Sequence, residues 1–282
     1  MNFGVSGNTD FHSVDFSLPK VDQPLLKGKA VPNPKIFIGM PKWGSVEWVG
    51  NIYPPKTKAK EFLDFYGSQF NGIELNATHY KIHPEETILR WTDKVADKEF
   101  IFCPKMFQGV THRGSLDGKK PILDEFLNSI DHFGDNLGPI LCQVPETLAT
   151  KRKEELIGFL QALPPYYNYF LEIRHDSWFS SAEAFEELVE ILKLHKIGLI
   201  ITDTPERRDV LHMRLTIPRA FIRFRCCGND TIDKARVGQW KRQLKEWFEK
   251  GLESCCFFIH LGDVPIDFAK YVQDELGFPV AP

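Results

Sequence analysis

No run of 18 apolar residues occurs anywhere in this chain of 282 residues, so the sequence offers no helix able to span a bilayer. Residues Met1 to Lys35 carry neither the basic start nor the apolar stretch of a secretory leader, and a cytoplasmic protein is expected. Cysteine is sparse: Cys103, Cys142, Cys226, Cys227, Cys255 and Cys256 are six in number, and none forms a CxxC. The usual zinc ribbons and redox dithiols are thereby excluded. Thiols set inside apolar segments fit a reducing compartment, and all six are expected to stay free. HExxH and HxH spacings are absent, and neither Ser177 nor any cysteine has a nucleophile–base arrangement around it. Positive charge is not in excess either. A net charge of −3 argues against a generally basic nucleic-acid coat, although a local basic patch is compatible with it.

What is present is alternation. Hydrophobic content of 43% and charged content of 26% are ordinary for a folded globular protein. Residues 1–35, interrupted by Pro19, Pro24, Pro32 and Pro34, read as an N-terminal extension. From Ile36 onward, short β-branched or aromatic runs recur at Ile36 to Gly39, Gly72 to Asn76, Phe100 to Lys105, Ile140 to Val144, Phe170 to Arg174, Leu199 to Asp203, Phe221 to Arg225 and Cys255 to His260. Helix-period segments lie between them, such as Ile122, Phe126, Ile130 and Phe133, or Val237, Trp240, Leu244 and Trp247. Ser180 with Glu183 has capping-box spacing, and Arg207 to Thr216 shows only a hint of helix. Nearly continuous apolar strands that alternate with helices indicate a parallel sheet covered on its outer face. The expected fold is α/β, a single (β/α)8 TIM-type barrel over residues 36–282 preceded by the extension. An open doubly wound sheet is the alternative, but the first turn, Gly39-Met40-Pro41-Lys42-Trp43-Gly44, lacks the GxGxxG fingerprint.

In a barrel the C-terminal strand ends meet at one mouth, where the chemistry of such folds resides. The polar residues there are Glu74 and Asn76, Lys105, Gln143, Glu172 and Arg174, Asp203, Arg223 and Arg225, and His260. Three of these sets are two residues apart and so share a face. Inward charges are costly unless paired or solvated. One interpretation is a structural plug in which Glu172 pairs with Arg223. The other is an anion site, in which Arg223 is a solvated cation, because Lys105, Arg174, Arg223 and Arg225 outnumber Glu74, Glu172 and Asp203 and arginine suits phosphate or carboxylate. On that view Glu172, Glu74 and Asp203 are the candidate acid/base groups. Asn76, Lys105, Gln143, Arg174, Arg223 and Arg225 are candidate substrate contacts, with Trp43, Tyr80, His112 and Trp178 as aromatic rim. The substrate expected is small and anionic; nucleic acid is allowed but less favoured.

No cofactor is required. A divalent metal held by Glu74, Glu172, Asp203 and His260, or by His79, His112 and His175, is a second possibility, weakened because arginines compete for the same carboxylates. A glycosidase needs two carboxylates about one bond, and the arginines suit a neutral sugar badly. A non-catalytic module for an anionic metabolite or nucleic acid is the third.

An ordered set of motifs then carries a resemblance: Gly39 with Trp43-Gly44, Trp48-Val49-Gly50 and Tyr53-Pro54; Glu74-Leu75-Asn76-Ala77-Thr78 with Tyr80; Trp91; Thr111-His112; Leu137-Gly138-Pro139; and Glu172-Ile173-Arg174-His175 with Ser177-Trp178. Over about residues 36 to 280 the chain resembles the YecE-like proteins, domain of unknown function 72. The resemblance implies a TIM-type barrel, comparable in fold alone with the xylose isomerase and endonuclease IV type, and brings no reaction with it. The chain departs from that pattern at Arg225-Cys226-Cys227-Gly228, where the family usually has His-Gly, and at His260-Leu261-Gly262-Asp263, where an Asn-rich end is usual.

Overall fold

The computed structural model describes residues 11–277. Its strands are β1 (Lys35–Met40), β2 (Gly72–Leu75), β3 (Ile101–Pro104), β4 (Ile140–Gln143), β5 (Tyr169–Glu172), β6 (Gly198–Leu199), β7 (Ile201–Asp203), β8 (Arg219–Arg225) and β9 (Ser254–His260). All eight expected strand positions are occupied, the sixth being split at Ile200. Every pairing is parallel, and the strands form two sheets, in the orders β3-β2-β1-β9-β8-β7 and β4-β5-β6. The fold is therefore α/β with parallel sheets, and no single closed ladder runs through the described residues. The two sheets meet twice. Ile200 passes the chain from β5, whose Leu171 carbonyl accepts its N–H at 2.9 Å, to β8, which pairs with Ile201. Between β3 and β4 there are only isolated parallel bridges, Phe102 with Leu137 and Lys105 with Leu141.

Helices cover the outer faces, as the periodicity requires. Lys120–Ile130, Ala182–Leu194, Asp230–Glu249 and Asp267–Leu276 are the longer ones. The cap of Ala182–Leu194 is Ser181, whose hydroxyl accepts from the Ala184 N–H, one residue later than the capping-box spacing indicates. Glu85–Asp93 is a helix the hydrophobic pattern does not announce, since Ile88 is its one buried residue. The weak sixth unit contains only the 3-10 turn Arg208–Val210. Between β1 and β2 the ladder is short, and the Tyr66 hydroxyl completes it by accepting from the Met40 N–H and donating to the Gly72 carbonyl. A side chain at Gly39 would collide with that hydroxyl, its Cβ lying 2.6 Å away, so glycine is required there.

The extension, where described, lies along Asp230–Glu249: Gln239 bonds Leu18 N–H and the Phe16 carbonyl, while Gln23 ties to Met213 and Leu215. The part before Phe11 lies outside the described residues. Two apolar clusters result. The larger fills the space between strands and helices, and the smaller gathers Cys103, Leu141, Phe170, Ile200, Phe221, Cys256 and Phe258 on the inner faces of the strands.

Candidate active site

Six members of the inner cluster precede a polar residue by two positions: Cys103 before Lys105, Leu141 before Gln143, Phe170 before Glu172, Ile200 before Thr202, Phe221 before Arg223 and Phe258 before His260. Strand side chains repeat with period two, so the polar set stacks as one layer above the apolar cluster, toward the C-terminal ends.

Arg223 is the centre of that layer. Its Nε and Nη2 donate to the two oxygens of Glu74 at 2.8 and 2.9 Å, and its Nη1 donates to both oxygens of Glu172 at 2.8 and 2.9 Å. The Asn76 amide also donates to Glu74 at 3.0 Å, and His260 Nε2 lies 3.1 Å from the same carboxylate. Glu172 further accepts from the Thr202 hydroxyl at 2.8 Å and from Arg174 Nη2 at 3.3 Å. Glu74 and Arg223 have no solvent exposure, and Glu172 has 2%. The expectation of a solvated Arg223 is thus corrected: it is a buried bridge between two carboxylates, and β8 places it there because Arg223 lies in register with Thr202 and Phe258, deep between β7 and β9.

Burial would raise the Glu74 carboxyl, but Arg223 and then His260 outweigh it and hold it well below the usual carboxylate range. For Glu172 burial is likewise outweighed, by Arg174, Arg223 and Lys105, which bring it down to about 2. Both are therefore ionised acceptors. Lys105, buried beside them, is pushed down to about 8 by desolvation first and by Arg223 next. His112 is pushed down to about 4 by burial and by Lys105, and its ring stands edge-on to His79 at 4.8 Å.

Asp203 does not join this layer, although it was expected at the mouth. One residue out of phase with Thr202, it turns to the helix side, where Trp240 Nε1 donates to it at 2.7 Å and Arg236 Nη2 at 2.8 Å, with Arg208 as a third partner. Trp178 and Trp43 also leave the rim. Trp178 is fully buried with its Nε1 donating to the Leu148 carbonyl at 2.7 Å, and Trp43 packs edge-on against Trp91 and Phe102. Tyr80 does stand at the rim, 61% exposed.

A cavity of about 800 Å³ opens at the ends of β1, β2, β8 and β9. Lys42, Trp48, Asn76, Tyr80, Arg225, His260 and residues 261–266 line it. A second cavity of about 710 Å³ lies across Arg225 and shares residues 261–265 with it. Arg225 pairs with Glu206 at 3.0 Å and borders both. Asn76 Oδ1 and Gln143 Oε1 are buried with no hydrogen-bond partner among the described residues. Thr202 and Lys42 are not among the expected site residues, and Leu261-Gly262-Asp263 after β9 stands out in the sequence only as a departure from the family pattern; for Thr202 the signal is strand parity, which selects Ile200 and Thr202 rather than Asp203.

A divalent metal does not fit this layer. The guanidinium of Arg223 occupies the space between Glu74 and Glu172, and among the described residues no group of three or more His, Cys, Asp or Glu is placed to hold an ion.

Comparison with known proteins agrees with the fold. The chain is 26% identical over 247 residues to the UPF0759 protein YecE of Escherichia coli K12, covering 81% of this chain and 87% of that one. It is 30% identical over 180 residues to the UPF0759 protein YunF of Bacillus subtilis, covering 61% of each. The crystal structure of a DUF72 family protein from Enterococcus faecalis superposes with a TM-score of 0.68 at 16% identity, over 87% of this chain and 98% of that one. The family described as protein of unknown function DUF72 matches residues 37–281, and the chain belongs to it.

Proposed function

We propose that the protein is an enzyme that binds a small phosphate- or carboxylate-bearing substrate in the cavity above the Glu74–Arg223–Glu172 layer and acts on it by general acid/base catalysis. On this reading the two sheets are the wall of one (β/α)8 barrel spanning residues 36–282, residues 1–35 are an extension outside it, and the free thiols belong to a cytoplasmic protein. The single observation that carries the proposal is the cavity itself, lined by Lys42 and Arg225, by Asn76 and His260, and by the carboxylates Glu47 and Asp263. A concave site with a few convergent polar groups over a perturbed ionic cluster is the ordinary form of an active site. Arg225, oriented by its ion pair with Glu206, brings a planar guanidinium that suits an oxyanion, and Lys42 adds a point charge to the lining. Arg174, Lys105, His112 and Gln143 add polar groups on the side of Glu172. Arg223, Glu74 and Glu172 serve by position, holding the field of the site fixed, since locked and ionised carboxylates give up no proton at neutral pH.

Titration of the full chain with inorganic phosphate and with sulfate, followed by calorimetry, tests this. Binding that weakens at least about tenfold in Arg225→Met, a loss of about 1.4 kcal/mol, is expected. Absence of binding to both anions at millimolar concentration would overturn it.

A further inference from the structure

Resting on the anion-binding cavity proposed above, we propose that His260 is the residue that transfers the proton in this site, with Glu74 as its positioning partner. The ring stands at the C-terminal end of β9, and His260 borders the cavity that Lys42 and Arg225 also line. Its Nε2 lies 3.1 Å from Glu74 Oε2. Glu74, already accepting two bonds from Arg223 and one from Asn76, is an ionised acceptor, so Nε2 must be the donor. That fixes the tautomer and assigns proton exchange to Nδ1. A carboxylate that orients an imidazole, itself held by a buried guanidinium, is a preorganised base.

The step balances within the site. Nδ1 accepts a proton from a substrate hydroxyl or an acidic carbon. The bond from that atom to hydrogen breaks, its electron pair stays on the substrate, and an imidazolium forms whose Nε2–H still rests on Glu74. The same proton returns from Nδ1 to product or leaving group. The competing role for His260 is a permanently protonated counter-ion of Glu74. Two features oppose it: Arg223 already grips Glu74 with a bidentate pair, and the carboxylates around the ring, Glu74 on β2, Glu172 on β5 and the cavity-lining Glu47 and Asp263, are accompanied by the cations Arg223 and Arg225 on β8 and Lys42 past β1. Burial also favours the neutral ring, pushing it below the ordinary histidine value even against the pull of Glu74.

The full chain labelled with ¹⁵N in its histidine rings supplies the test, with His260→Asn to assign the signals. The expected result is a neutral His260 at pH 7 with the proton on Nε2, a preference that is lost in Glu74→Gln. Exposed to diethyl pyrocarbonate and mapped by mass spectrometry, His260 should be modified through Nδ1, and inorganic phosphate should slow that modification several-fold. An imidazolium at pH 7, a proton on Nδ1, or a His260 that stays unmodified while exposed histidines react would each overturn the proposal. A neutral, reactive His260 that phosphate neither protects nor shifts would leave the base in place and refute the anionic-substrate reading instead.

Discussion

Arg223 grips Glu74 through two parallel hydrogen bonds, Nε to Oε2 at 2.8 Å and Nη2 to Oε1 at 2.9 Å, where neither side chain has any contact with solvent. The remaining nitrogen spans to Glu172, so one cation holds together carboxylates from β2 and β5. Removing it strands two buried charges. Arg223→Met is expected to lose about 3–5 kcal/mol of stability in urea denaturation, the usual cost of breaking a buried pair from one side. The pH dependence follows the same bonds: the Glu172 carboxyl is depressed to about 2, so its contribution is complete above the unfolded value near 4.5 and is lost as pH falls toward 2. The deficit of Arg223→Met relative to the parent should accordingly be widest near neutral pH and narrow as pH falls toward 2, because protonation relieves the stranded carboxylates. A loss below about 1 kcal/mol would mean the layer is wet and adaptable.

Much of this was legible beforehand. The strand positions follow from apolar runs of the right length, and the three polar pairs Glu74/Asn76, Glu172/Arg174 and Arg223/Arg225 are expected to share faces because strand periodicity is two. The pairing of Glu172 with Arg223 was legible as the structural-plug interpretation and is present, but that Glu74 takes the other side of the same guanidinium was not, because pairing across β2, β5 and β8 depends on distances between strands far apart in sequence. Asp203 illustrates the limit. Its strand was placed correctly, but a one-residue difference in phase turned it to Trp240 and Arg236 on the helix side. Trp178 is similar: an aromatic in a mouth loop is apolar enough to be drawn into the core wherever its N–H finds a carbonyl, as it does at Leu148.

Lys105 gives the fold an alkaline signature. Desolvation first, then Arg223, bring its ammonium down to about 8, against an ordinary 10.5 in the unfolded chain. Between those values the unfolded state binds the proton and the native state does not, so this residue makes stability rise with pH from about 8 to 10.5. In Lys105→Met that rise should vanish, a difference of order 3 kcal/mol across the window. Parallel thermal unfolding of the two proteins from pH 7.5 to 10.5 reads it, and identical pH profiles would exclude the depressed ammonium.

The thiols should report burial rather than bonding. All six are free, and Cys227 alone among them is half-buried, the other five being buried. β8 and β9 run parallel, with Cys255 beside Ala220 at one end and Cys226 following Arg225 at the other, so the adjacent cysteine pairs cannot meet. Alkylation after unfolding without reductant should modify six sites. In the native protein Cys227 should react first, slowed because burial and the Asp233 carboxylate push its thiol up to about 11. Intact-mass measurement against time checks both points, and a faster site elsewhere would contradict the packing.

Asp203→Asn separates structural from functional carboxylates. Asp203 is fully buried, accepts from Trp240, Arg236 and Arg208, and is held ionised because Arg236 and then Arg208 outweigh its desolvation. An amide in its place keeps the shape but removes the charge that Arg236 needs, and Arg236 is itself only 1% exposed. Asp233, which pairs with Arg236 at 2.7 Å while accepting from the Cys227 and Gly228 N–H groups, would remain beside it, but Trp240 and Arg208 would lose their carboxylate as well. The expected loss is about 3–5 kcal/mol, with a change in tryptophan fluorescence from Trp240. Phosphate affinity at the cavity should stay within about twofold of the parent, because Asp203 lies on the opposite face of its strand from Thr202 and Glu172. Glu172→Gln should instead disturb Arg174, Thr202 and Arg223 together. If Asp203→Asn abolished phosphate binding while remaining folded, the division of carboxylates between the helix side and the inner face would not describe how the site works.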